Sequence, residues 1–155
     1  MDAFIHWLHL MAAIIWVGGT FAMSLAVQPI LRKFLKDSAR FEIYREIGAR
    51  FKIVMWGCWT TLLLTGIFKL WEIRETPAIF FGPWGKILGV KLTLVALMVV
   101  ISLLHTYVWG PQMMEAKDPT RIKALAAKMK IWGTLNLFVL AAIVFCAASL
   151  RFSSW

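Results

Sequence analysis

The sequence predicts an all-α membrane protein, a four-helix up-down-up-down transmembrane bundle. Three observations carry this: four long runs free of charge, an apolar composition, and basic residues gathered into alternate connections. Residues 3–31, 53–68, 92–114 and 131–150 contain no Lys, Arg, Asp or Glu. A helix rising about 1.5 Å per residue needs roughly 20 apolar residues to cross about 30 Å of hydrocarbon. Three runs meet that length outright. The second meets it once Lys52 and Lys69 extend their ammonium groups to the headgroups. The chain is 61% hydrophobic and only 16% charged, which leaves no room for a second, water-soluble domain within 155 residues. Its mean hydropathy of +0.74 points the same way. One transmembrane domain over 1–155 is expected.

The net charge of +9 is read as an orientation signal, not as a nucleic-acid surface. Seven of the 17 Lys and Arg lie in 32–52 and five in 110–130, while 72–86 holds only Arg74 and Lys86 against Glu72 and Glu75. Positive residues concentrate on the cytoplasmic side of a membrane protein. The first and third connections are therefore expected in the cytoplasm, with both termini outside, in a bacterial-type inner (plasma) membrane.

The elements follow in order. Helix 1 covers about 4–31, with Pro29 loosening its last turn. It reads as a retained span, since no basic residue precedes it and it far exceeds a signal-peptide core. A basic segment follows, in which Asp37 and Ser38 are candidate caps. Phe41, Tyr44, Ile47 and Phe51 recur there at helical spacing, predicting a cytoplasmic extension over 38–50. It leads into helix 2, about 51–71. The connection from Thr76-Pro77 to Phe80-Phe81-Gly82-Pro83-Trp84-Gly85 is aromatic and rich in helix breakers, which suits a loop in the interface. Helix 3 covers about 87–109 and is expected to stop at Gly110-Pro111. Asp118-Pro119 reads as a cap followed by a first-turn proline, so helix 4 begins near 119. It runs through a cytoplasmic extension over 119–130 and spans the membrane over 131–150. Small residues mark close-approach faces: Gly18, Gly19 and Ala22 on helix 1, and Gly57, Thr61 and Thr65 on helix 2. No repeat of 20–50 residues stands out.

Polar groups inside hydrocarbon are costly and are therefore the candidates for function. At about 1.5 Å per residue, His9 lies about 8 Å and Lys91 about 6 Å from the outer helix ends, with Cys146 also about 6 Å deep. His105 lies about 27 Å down, near the cytoplasmic face. A haem with two axial histidines needs both at one depth, and His9 and His105 differ by about 19 Å. They cannot share one iron. His6 and His9 are i,i+3 neighbours on one helical face, a spacing that lets both imidazoles reach one small metal ion. Cys146 would add a soft ligand suited to Cu(I). Each candidate has a plainer reading. His6 suits the interface, Lys91 can snorkel outward and His105 can anchor the end of helix 3. Asn136 is expected to bond across to helix 3. Trp7, Trp71, Trp84, Trp109 and Trp132 fall at helix ends as an aromatic belt would. Cys58 and Cys146 differ in depth by about 12 Å, too far for a disulfide.

These residues carry a family resemblance. His9-Leu-Met-Ala-Ala-Ile-Ile-Trp16-Val-Gly18-Gly19 resembles the H-x6-W-x-G-G opening of the copper resistance protein D family. Arg50 and Leu62-Leu-Leu-Thr65-Gly66 of helix 2 fit it, as do Gly89-Val-Lys91-Leu and His105-Thr-Tyr-Val-Trp-Gly110-Pro111 of helix 3. Asn136 and Leu150-Arg151 complete the likeness in helix 4. Membership implies an inner-membrane four-helix unit that binds or moves copper. The chain is more distantly similar to HemJ-type protoporphyrinogen oxidases, which share the first-helix His, Trp and Gly spacing and a helix-3 lysine. That likeness implies haem b or porphyrin handling by His9 and Lys91, with Thr20-Phe-Ala-Met-Ser-Leu-Ala standing where that family has Tyr-Pro-Arg.

Three functions follow. The first is copper handling through His9, with His6 and Cys146 as further metal ligands and His105 as an inner waypoint. The second is a haem b redox protein or porphyrin oxidase, with His9, Lys91 and His105 as cofactor-binding residues. The third is a non-catalytic subunit packed in the bilayer as a homo-oligomer or within a larger membrane complex. No nucleophile–base pair, carboxylate dyad, phosphate loop or dinucleotide fingerprint occurs, so any enzyme here would be a membrane oxidoreductase.

Overall fold

The computed structural model describes residues 2–34, 37–72, 74 and 81–152, and every described regular element is helical. Four helices are long and apolar enough to cross a membrane, over Ala3–Leu31, Arg45–Glu72, Pro83–Glu115 and Pro119–Phe152. The protein is an all-α membrane protein. It divides into two compact units, Met1–Glu75 and Thr76–Trp155. Each is a helical hairpin, and each is described by itself.

In the first unit, α1 (Asp2–Ala22) passes into a π-helical turn, Met23–Val27, and on into α2 (Gln28–Phe34). The wide turn sits just ahead of Pro29. Proline has no N–H to return to the carbonyl four residues back, and its ring crowds that carbonyl. The ladder answers by lengthening one step: the Gln28 N–H donates to Met23 O, five residues back. Pro29 thus widens the helix without ending it. The second helix, α3 (Asp37–Glu72), is 36 residues long, about 54 Å at the standard rise. That exceeds the hydrocarbon thickness, so the expected extension and span are one continuous helix. The side chains of Asp37, Ser38, Phe41 and Tyr44, named above as caps and stripe, lie outside the described residues.

The hairpin's seam follows from side-chain size. Ala12 and Trp16 are buried from α1, and Cys58 and Thr65 from α3. Gly19 lets the helices close: a Cβ there would stand 3.1 Å from the Phe51 ring and 3.8 Å from Met55 Cε. Gly18 and Gly57 face open space, so of the expected small-residue contacts Gly19 makes a tight one. The Gly57-Thr61-Thr65 stripe is a ladder of hydroxyl bonds to the preceding turn. Thr61 Oγ1 donates to Gly57 O at 2.9 Å and Thr65 Oγ1 to Thr61 O at 2.6 Å.

In the second unit, α4 begins at Pro83, a turn earlier than expected, because Gly82 is extended and the proline occupies the first helical turn. The segment 75–80 lies outside the described residues. After α4 (Pro83–Leu104) comes a second π-helical turn, His105–Trp109, then α5 (Gly110–Glu115). The expected stop at Gly110-Pro111 does not occur. The same device that passes Pro29 operates here, with the Gly110 N–H donating to His105 O. A Cβ at position 110 would come within 3.1 Å of that carbonyl, so glycine eases the wide turn. The last helix, α6 (Pro119–Phe152), starts where expected. Asp118 caps it, accepting from the Thr120 N–H at 3.1 Å and the Arg121 N–H at 3.3 Å. Its seam with α4 and the π-helical turn buries Met98, Ile101 and Trp109 on one side and Val139, Leu140 and Ile143 on the other.

Candidate functional site

Positions 9, 12, 16 and 19 lie on one face of α1, the face turned to α3. His9 is the polar member of that face and reaches Thr65, with Nδ1 and Oγ1 2.7 Å apart. The Thr65 hydroxyl proton is already committed to Thr61 O, so its oxygen is the acceptor and His9 Nδ1 carries the proton. This network assigns the tautomer, and in the neutral ring it makes Nε2 the nitrogen with the lone pair. Gly66 lies beside the ring, where a Cβ would make ordinary van der Waals contact at 3.9 Å from His9 Cε1, and Thr65 orients the imidazole. An imidazole held by one nitrogen so that the other presents a lone pair is the usual arrangement of a histidine metal ligand.

Below His9 on the same seam, Trp16 meets Trp59 edge-on at 6.1 Å, and Trp59 meets Trp56 at 5.4 Å. The Trp59 indole N–H is buried with no acceptor among the described residues. His6, one turn before His9, is exposed, so the two histidines do not share the α3-facing seam.

The second unit holds the remaining candidates. Lys91 on α4 is half-buried and lies within electrostatic range of Cys146 on α6. Beside them an open groove of about 300 Å³ is lined by Lys86, Ile87, Val90, Phe145, Cys146 and Ser149. Near the other end of the hairpin, His105 Nε2–H donates to Met129 O at 3.2 Å, with Gly133 beneath the ring. His105 also stands edge-on to Trp109 at 5.8 Å, and Trp109 packs on Trp132 under the Lys128 ammonium. The expected bond from Asn136 to helix 3 is not made by its amide oxygen, which is buried without a partner among the described residues.

Among the described residues, no three His, Cys, Asp or Glu side chains lie close enough together to hold a metal ion. Imidazole and thiol are the donor types present, and both suit a soft or borderline cation. Thr65 was missed as a site residue from sequence alone. The signal for it was its place beside Gly66 at the far end of helix 2, where an antiparallel partner brings it level with His9.

The family model for copper resistance protein D matches residues 45–150, about two thirds of the chain. The chain belongs to the copper resistance protein D family. The matched stretch includes Thr65, Lys91, His105, Asn136 and Cys146 and begins after His9. Two relatives extend over the whole hairpin pair. An uncharacterized protein of Aquifex aeolicus is 30% identical over 147 residues, covering 93% of this chain and 91% of the relative. The protein named inner membrane protein YebZ in Escherichia coli is 26% identical over 145 residues, covering 94% of this chain and 46% of the relative. The chain thus spans less than half of YebZ. No solved structure matches it.

Proposed function

We propose that this family member is an inner-membrane protein that binds Cu(I) as cargo through His9, as a step in moving copper across the bilayer. The observation that carries the reading is the His9–Thr65 hydrogen bond, which directs the imidazole lone pair to Nε2 within an apolar span. Membership of a copper resistance family supplies the ion; the name of YebZ supports the compartment. The placing of Lys and Arg supports cytoplasmic first and third connections and external termini, which puts His9 near the outer face.

A single oriented imidazole suits transfer. Cargo must bind well enough to enter and weakly enough to leave, and a full tetrahedral set would hold it too long. His6, exposed one turn nearer the N-terminus, is suited to pass the ion inward to His9. Cys146 and His105 are the soft and borderline donors of the second unit. The haem alternative has less support, because family membership points to copper and His105 has its Nε2 engaged by Met129 O.

The test is Cu(I) affinity of detergent-purified protein, measured by competition with a chromophoric Cu(I) chelator, for the native chain and for His9→Ala. The reading expects at least a tenfold loss in the variant with helicity unchanged. Equal affinity in both ends it. A Soret band in the purified native protein would favour the haem reading instead.

A further inference from the structure

The two units repeat one another element by element. The first runs through helices of 21, 5, 7 and 36 residues, the 5 being the π-helical turn. The second runs through 22, 5, 6 and 34. A spacing of 82 residues joins the starts of the π-helical turns (Met23, His105), the prolines that follow them (Pro29, Pro111) and the starts of the long second helices (Asp37, Pro119). The same spacing joins Lys69 and Arg151, the basic residues in the last turn of each long helix. Two hairpins of bilayer length need not resemble each other. A five-residue π-helical turn followed by X-Pro, at one register, in both, is a specific likeness.

Packing keeps that register at two positions: Trp16 and Met98, 82 apart, are both buried, as are Cys58 and Leu140. Carried through α1 and α4, the register places His9 and Lys91 at equivalent positions. The residues across the seam are offset by one position: His9 faces Thr65, the counterpart of Ala147, and Lys91 is in electrostatic range of Cys146, the counterpart of Leu64. Few residue identities accompany the repeat, since most of these positions are apolar side chains facing lipid or the seam.

We infer that the chain is a duplicated hairpin in which Lys91 is the diverged counterpart of His9, denying the second unit the cation position that the first retains. The inference rests on the Cu(I) reading of His9. An imidazole offers a lone pair to a cation; an ammonium has none to offer and repels it. Lys91 is thus a specificity-determining residue: one unit takes the ion, and the matching position of the other does not. A histidine at 91 gives the second unit an imidazole on the hairpin that carries the Cys146 thiol, both donor types suited to Cu(I).

The experiment uses the full chain in detergent, with Cu(I) stoichiometry and affinity measured for the native protein, His9→Ala, Lys91→His, the double variant H9A/K91H and Leu92→His. The expected results are one Cu(I) per native chain, at least a tenfold weakening in His9→Ala, two in Lys91→His, one in the double variant and no gain in Leu92→His, which lies off the seam. Loss in His9→Ala with no gain in Lys91→His overturns the inference and leaves the reading of His9 standing. An equal gain in Leu92→His also overturns it, since position would then not matter. Unchanged binding in His9→Ala overturns the reading of His9 and this inference together. If circular dichroism shows Lys91→His to be unfolded, the exchange variant H9K/K91H carries the same test: one site retained sustains the inference and none overturns it.

Discussion

Replacing Thr65 by valine keeps the branched shape of the side chain and deletes the hydroxyl that receives the His9 Nδ1 proton at 2.7 Å. Thr65 is only 8% exposed, so water does not readily take the hydroxyl's place. The variant loses a net hydrogen bond of about 1 kcal/mol and leaves an imidazole N–H facing apolar surroundings, at a further cost of about 1–3 kcal/mol. The ring escapes part of that cost by turning or by moving its proton to Nε2, and either change removes the lone pair from the direction Thr65 had set. Groups that orient a metal ligand in this way are worth about 10–100-fold in affinity. Cu(I) competition on Thr65→Val should therefore show a loss in that range, smaller than the loss in His9→Ala. Thr65→Ser keeps the hydroxyl and should bind within about threefold of the native chain, since it retains the bond that sets the ring. Native affinity in Thr65→Val beside a clear loss in His9→Ala would show that Thr65 does not orient the site.

Three further outcomes test the packing. Gly19→Leu drives a side chain into the Phe51 ring, where even a Cβ would stand 3.1 Å away; it should lower stability by about 1–3 kcal/mol. Adding Phe51→Ala should recover much of that loss in a double-mutant cycle, and additive losses would place the clash elsewhere. Asp118→Ala removes both cap bonds of α6 and should cost about 0.5–2 kcal/mol in thermal unfolding, with Asp118→Asn close to native. Trp59→Phe removes a buried N–H that has no acceptor among the described residues, so its melting temperature should hold or rise; a marked fall would mean that the indole N–H is bonded after all.

The spans were legible because lipid imposes a simple rule: a long uncharged run must become a helix that satisfies its own backbone. The start of α6 was legible for a local reason, since Asp118-Pro119 supplies a cap and a residue that needs no N–H. The end of helix 3 was misread by the same kind of reasoning. Gly110-Pro111 looks like a stop, yet a π-helical turn lets the ladder step past the proline, and nothing in the residue types alone announces that register. His9 and Lys91 stood out because polar groups in hydrocarbon always do. Thr65 did not, because a threonine in a small-residue stripe reads as packing until its antiparallel partner is known. The correspondence of the two units was hidden for a related reason: the positions that define it are interchangeable apolar residues, and geometry shows what identity does not.

X-ray absorption at the copper edge, on detergent-purified protein loaded with Cu(I), bears most directly on the role of His9. Imidazole scattering should be present in the native spectrum and lost in His9→Ala, while Cys58→Ser leaves it in place. A spectrum that is the same with and without His9 would mean that copper is held elsewhere in the chain.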